Sequence, residues 1–323
     1  MGLFPTIADE LGPLVQEAAD AGVMVGTSSW KYPGWIGQLY DASRYAVRGR
    51  LAQAKFERAC LTEYAEVLRT VCVDATYYRF PDRAMLGGLA DQVPDGFQFG
   101  FKVTSEITVK DFPKLPRYGM RGGRGNPDFL NAGLFAEAFL RPCESIRGKV
   151  GILIFEFSHF HPGQFARGRE FVERLNQFLS DLPRGWRYGV EIRNRTFLHP
   201  DYFSTLRRHG VVHVYNQWTD MPSVGEQMAM EESATVDGAV AARFLLTPGR
   251  EYEAAVAAFS PYRETKQVDE GAREAGTRLV LAGMAQRRPG SAWIYVNNRL
   301  EGSALQTIRA MLLAARLRRM ESP

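Results

Sequence analysis

Six short apolar segments of this chain carry charged or amide side chains near their C-terminal ends. Asp74 and Thr76 come late in VCVDATYY, and Lys102 comes late in FQFGFKV. Glu156 nearly closes GILIFEF, and Glu191 and Arg193 lie near the end of RYGVEIRN. Arg243 interrupts AARFLL, and Asn297 and Asn298 close the apolar part of WIYVNNR. Side chains alternate along a strand. Gln98, Gly100 and Lys102 therefore share one face, Ile152, Ile154 and Glu156 another, and Glu191 and Arg193 a third. A buried charge without a partner is strongly unfavourable, so these groups must pair with each other or with a ligand.

The residue types suggest two kinds of chemistry. In the first, Glu191 is a general acid or base and Lys102 beside it sets its protonation. Arg79, Arg193 and Arg243 then offer guanidinium forks to phosphate or carboxylate, and Asn297 and Asn298 fix orientation. The Gly- and Arg-rich stretch from Arg121 to Asn126 adds backbone N–H groups or is simply a surface loop. On this reading Glu191→Gln abolishes turnover and spares the fold. In the second, Asp74, Glu156 and Glu191 hold a hard cation such as Mg2+ or Mn2+, with His159 and His161 close in sequence. Against the second, Lys102 and the arginines compete for the same carboxylates, and the two histidines are not at a strand end. No cofactor is expected and no metal ligand is assigned. The purely structural alternative is a set of internal salt bridges, such as Glu191 with Arg193 or Lys102 with Glu156. Nucleophilic catalysis has little support, because Cys72 lies among apolar neighbours and no GxSxG occurs.

Such side chains must be positioned by alternating strands and helices. Strands are predicted at Val23–Ser28, Val71–Tyr77, Phe97–Val103, Val150–Phe157, Trp186–Arg193, Val211–Asn216, Ala241–Leu246 and Trp293–Asn298. Helical spacing of apolar residues runs through 50–69, 165–180 and 302–317. Eight such units predict an α/β fold, a single (β/α)8 TIM-like barrel. The rival open sheet lacks its GxGxxG, since Gly26 is followed by Thr27, Ser28 and Ser29. Residues 1–21 read as an extra N-terminal helix that could plug the barrel bottom, and 22–319 as the barrel domain. The strand ends then converge on the C-terminal face, where such barrels place their sites. Two long loops, 105–127 and 216–238, follow strands and belong on that face.

The stretch VGTSSWKYPGWIGQLY, Val25–Tyr40, becomes the first loop after a strand. Trp30 and Tyr32 there either stack on a sugar ring or base, or plug the barrel top. The composition is that of a soluble globular protein, and the net charge of +4 is dispersed along the chain. Arg316, Arg318 and Arg319 form the densest basic cluster, read as compensating a helix dipole. The three cysteines, Cys60, Cys72 and Cys143, form no CxxC. No leader or membrane span is apparent, so a cytoplasmic protein is expected.

These residues together resemble the YecE-like family, also called domain of unknown function 72. GTSSWKYPGWIGQLY resembles the family's GTSGWSYxxWxGxFY, and ATYYRFP resembles STFYRLP. FKV, YGVEIRNRTF and IYVNNR follow in the family's order. The resemblance runs from about residue 23 to about 315. It implies a TIM-like barrel without an established reaction, and site residues Trp30, Tyr32, Trp35, Tyr40, Thr76, Tyr78, Arg79, Lys102, Glu191, Arg193, Arg243, Asn297 and Asn298. The chain departs from the family pattern at Cys72, Asp74 and Glu156, and SHFHPGQF lacks the usual double proline.

The expected function is a metal-independent enzyme acting on a small anionic or sugar-like molecule at the strand ends. Asp74 and Glu156 join the substrate-binding set. The alternatives are a divalent-metal isomerase or phosphoester hydrolase, a nucleic-acid-binding or repair protein, and a non-catalytic binding protein. The expected partner is an anionic small molecule, with no membrane; nucleic acid is the less favoured partner.

Overall fold

The computed structural model describes residues 5–321. Eight parallel strands close a barrel in sequence order: β1 (Val23–Thr27), β2 (Thr70–Val73), β3 (Gln98–Lys102), β4 (Val150–Phe157), β5 (Tyr188–Ile192), β6 (Val212–Gln217), β7 (Val240–Phe244) and β8 (Ala292–Val296). β8 pairs back onto β1, from Val23 opposite Ala292 to Thr27 opposite Val296. The fold is an α/β (β/α)8 TIM barrel.

The alternation read from the sequence sorts the two faces. Phe97, Phe99 and Phe101 face outward into the core shared with the helices. The interior is filled by Cys72, Ile152, Ile154, Val212, Val214, Trp293 and Tyr295. Gly100 is required by that packing: a Cβ there would sit 2.3 Å from the Tyr295 hydroxyl. Above this apolar layer come the charged residues.

Two expectations need correction. β2 ends at Val73, and residues Asp74–Tyr77 form a 3-10 turn rather than more strand. The Thr76 hydroxyl donates to the Val73 and Lys102 carbonyls, which holds the turn over the end of β3. Thr76 is thus structural, and Asp74 is carried up onto the rim. The N-terminal helix, Ile7–Asp20, starts with a capping box between Thr6 and Asp9. It packs along β1 and the last helix, Ala304–Glu321. Only Ala19 touches the interior cluster, so the helix flanks the barrel bottom instead of plugging it. The first four residues of the predicted 1–21 segment lie outside the described residues.

The basic C-terminal cluster does more than offset a dipole. Arg316 and Arg319 pair with Glu17 of the N-terminal helix, and Arg318 pairs with Glu274. All three cysteines are free and buried, and burial pushes each thiol up to about 12. Among the described residues no helix is long and apolar enough to cross a membrane.

Candidate active site

The charged strand ends do converge, and they pair among themselves. Glu156 of β4 and Glu191 of β5 are register partners, side by side and fully buried. Two adjacent carboxylates in an apolar barrel require cations between them. Arg243 of β7 supplies one. Its Nη1 reaches Glu191 Oε2 at 2.6 Å and Glu156 Oε2 at 3.1 Å, and its Nη2 reaches Asp74 Oδ1 at 3.0 Å. Arg193, just past β5, supplies the second, with Nη2 2.8 Å from Glu156 Oε2 and Nε 3.1 Å from Glu191 Oε1. Lys102 supplies the third, with Nζ 2.5 Å from Glu156 Oε2.

Three cations therefore match three carboxylates. Burial alone would raise the Glu156 carboxyl, but Arg193, Lys102 and Arg243 outweigh it and hold the group well below the usual carboxylate range. Burial opposes the charge on Arg243 too, and Glu191, Asp74 and Glu156 nonetheless keep it firmly charged. Lys102 also lies over the Tyr77 ring, 3.7 Å from its centroid. The cluster is neutral in sum and nearly sealed.

Asp74 is the exception. Its side chain is 38% exposed, and Arg243 holds only Oδ1. Around it lies an aromatic rim. Tyr32 and Tyr78 are both within electrostatic range of Asp74, and Tyr252 is within range of both tyrosines. Burial pushes the Tyr32 phenol up to about 12, so it remains a donor. Trp218, directly after β6, takes the Arg193 guanidinium over its ring at 4.0 Å. Arg299 rests on the Tyr252 ring at 4.5 Å, and its Nε is buried without a hydrogen-bond partner.

The match of sequence to family model settles the kinship. The model described as "Protein of unknown function DUF72" matches residues 24–322. The chain belongs to the DUF72 family. It is similar to a DUF72 family protein of Enterococcus faecalis, with 17% identity, a TM-score of 0.61, and coverage of 91% of this chain and 95% of that one. A DUF72 family protein of Thermotoga maritima is similar at 19% identity and a TM-score of 0.56, covering 93% and 99% of the two chains. At such identities the likeness speaks for the fold. No curated protein matches.

In this DUF72 chain the residues predicted for the site fall into three groups. Lys102, Glu156, Glu191, Arg193 and Arg243 form the inner cluster, and Asp74, Tyr32 and Tyr78 form the rim above it. Asn297 sits at the top of β8 and accepts from the Arg299 backbone N–H at 3.0 Å. The others do different work. Asn298 is fully buried, and its Oδ1 accepts from the Ala304 N–H at 2.8 Å, starting the last helix. Arg79 is exposed and has no ion pair or side-chain hydrogen bond among the described residues; the structure does not bring it to the cluster. Trp30 is only 7% exposed and belongs to the main core. Trp35 and Tyr40 are buried with Tyr45 and Phe56, and the Tyr40 hydroxyl donates to the Trp30 carbonyl. Gly34 lets this loop press onto its neighbour, because a Cβ there would lie 1.8 Å from the Pro261 carbonyl oxygen. Most of the aromatic stretch thus fastens the loop, and Tyr32 alone is turned toward the rim groups.

The arginine forks expected to clamp an anion, Arg193 and Arg243, are already engaged by carboxylates. The sequence reading missed Trp218, Tyr252 and Arg299. A signal existed for two of them: Trp218 is the first residue after β6, and Arg299 directly follows Asn298.

Proposed function

We propose that this DUF72 protein is a metal-independent acid–base enzyme acting on a small sugar-like molecule at the barrel mouth, with Asp74 as the group that moves the proton. The observation that carries this is the difference in state between the three carboxylates. Glu156 and Glu191 are sealed and held by cations, whereas Asp74 is exposed with Oδ2 unengaged. A general base must reach its proton. Arg243 orients Asp74 through Oδ1 and leaves the other oxygen to the substrate.

The rim suits a ring bearing hydroxyls. Tyr32, Tyr78, Trp218 and Tyr252 offer aromatic surface and O–H or N–H donors at their edges, with one face of Trp218 taken by Arg193 and one of Tyr252 by Arg299. Arg299 would take an acidic substituent. One reachable carboxylate favours proton transfer, as in an isomerase or lyase, over glycoside hydrolysis, which uses a flanking pair. The cation reading has less support. Each oxygen of Glu191 accepts from a guanidinium and Glu156 Oε2 accepts from three cationic groups, so a metal would have to displace them. Among the described residues no three His, Cys, Asp or Glu side chains gather as a metal site.

The test is solvent-deuterium exchange. Aldoses, ketoses and uronic acids are incubated with the enzyme in D2O and examined by proton NMR for exchange at carbon. We expect wash-in with at least one member and a loss of about 100-fold or more in Asp74→Asn. Exchange that persists at full rate in Asp74→Asn, or that requires added Mn2+, overturns the reading.

A further inference from the structure

Beside the barrel mouth lies a cavity of about 330 Å³, walled by the 105–127 loop on one side and by the segment after β4 on the other. Its lining shares no residue with the mouth, and it meets the inner cluster through Tyr77 and Ser158. One face of the Tyr77 ring carries Lys102, and its hydroxyl lies 3.5 Å from Ser158 Oγ, which in turn donates to Glu156 Oε1 at 3.3 Å.

Four cationic or protonatable groups line this cavity: Lys110, Arg117, His159 and His161. A single carboxylate, Asp111, opposes them; it accepts from the Gln164 amide at 2.5 Å, and Lys110 Nζ lies 4.0 Å from it, the outer limit of an ion pair. Arg117 differs from every arginine of the inner cluster. Its guanidinium lies 4.9 Å from the Tyr118 ring centroid and 5.4 Å from that of Tyr78, and it makes no ion pair or hydrogen bond among the described residues. Stacking holds the plane while the N–H fork stays available. Thr108 gives an independent sign. It lines the same cavity, is fully buried, and its hydroxyl has no hydrogen-bond partner. A buried hydroxyl without a partner is uncommon and calls for an acceptor or donor that binds there.

The walls are built, not loose. Lys110 donates to the Gln164 carbonyl across the cavity, tying the two segments together. Asn126 donates to the Glu106 and Val109 carbonyls, and the Phe112 N–H to the Arg124 carbonyl, closing the long loop on itself.

We propose that this cavity is a binding site for a phosphate-class oxyanion, held by the Arg117 fork, Lys110, the two histidines and the Thr108 hydroxyl. A phosphate has the oxygens to meet a fork, an ammonium and a hydroxyl at once. The site does not depend on the mouth being catalytic.

The experiment is proton NMR of the histidine ring signals during titration with inorganic phosphate at constant ionic strength, with chloride as control. The chain has five histidines, so His159 and His161 can be assigned by single substitutions. Saturable shifts confined to those two, weakened about tenfold or more in Arg117→Met and several-fold in Thr108→Val, are expected. Thr108→Val removes a hydroxyl that has no partner, so its melting temperature should match the parent and guard against misfolding. A hexose 6-phosphate titration then separates a free oxyanion from a substituent. Equal affinity to phosphate means the cavity takes the oxyanion alone; tighter binding with simultaneous Trp218 perturbation means one ligand spans cavity and mouth. Histidine shifts that follow ionic strength alone, or that are unchanged in Arg117→Met, overturn the proposal.

Discussion

Arg243 and Arg117 stand near the same end of the barrel and live in opposite surroundings. Arg243 issues from a strand, is 2% exposed, and touches Asp74, Glu156 and Glu191. Arg117 issues from a loop, rests on the faces of two tyrosines, and touches no carboxylate. The first lies where water cannot solvate a charge, so its neighbours must neutralise it. The second is exposed and can remain charged without a partner. An arginine in a barrel interior therefore says more about the carboxylates beside it than about an anionic substrate. The cation that can receive a ligand is found where the chain holds it by stacking.

That contrast can be broken most severely at Arg243. Arg243→Met leaves two buried glutamates adjacent with fewer counter-charges, and should destabilise by about 3–5 kcal/mol in urea unfolding. Arg117→Met removes only an exposed stacked group, and should stay within about 0.5 kcal/mol of the parent. Similar losses in the two variants would erase the distinction.

Acid unfolding sharpens it next. Burial brings the His213 imidazole on β6 down to about 3 from its ordinary 6.5. Below pH 6.5 the unfolded chain takes up a proton that the folded chain refuses until about pH 3. Stability is then lost as the pH falls through that window, by at most roughly 5 kcal/mol. Glu156 acts in the same direction but lower. Its folded carboxyl is depressed, so its contribution is present above pH 4.5 and lost as the pH falls below it. His213→Phe should flatten the slope between pH 6.5 and 4.5 and reduce the loss below 4.5 to the part due to the carboxylates. A slope between pH 6.5 and 4.5 that survives in His213→Phe would assign it elsewhere.

Asp74 is expected to have a far smaller effect on the fold than Arg243. Asp74→Asn weakens one contact of a partly exposed carboxylate, and should cost within about 1 kcal/mol in urea unfolding.

Much of this was legible in the chain. The alternation in FQFGFKV and GILIFEF separated interior from exterior, and GILIFEF ended with Glu156 inside. The barrel followed from eight such segments. The pairs Glu191–Arg193 and Lys102–Glu156, named from the sequence as the structural alternative, are both present; what the sequence could not carry was the partnership of Arg243. Asp74, Glu156 and Glu191 are 169, 87 and 52 residues away from Arg243, and only barrel closure makes them neighbours. Hence the expectation that the arginines are free for substrate. Asp74 was placed inside a strand because VCVDATYY stays β-like, whereas the Thr76 hydroxyl bonds to the Val73 and Lys102 carbonyls turn the backbone. Arg117 and Trp218 lie in loops, where no periodicity tells which way a side chain points.

The central claim is that the inner glutamates are architecture and Asp74 is the free group. Urea unfolding of Glu191→Gln beside Asp74→Asn tests it without knowledge of the substrate. Glu191→Gln should lose about 3 kcal/mol or more, because it leaves Arg193 and Arg243 buried with one counter-charge fewer, while Asp74→Asn stays within about 1 kcal/mol. A stable Glu191→Gln together with an unstable Asp74→Asn would contradict it, and would return Glu191 to the list of groups that act on substrate.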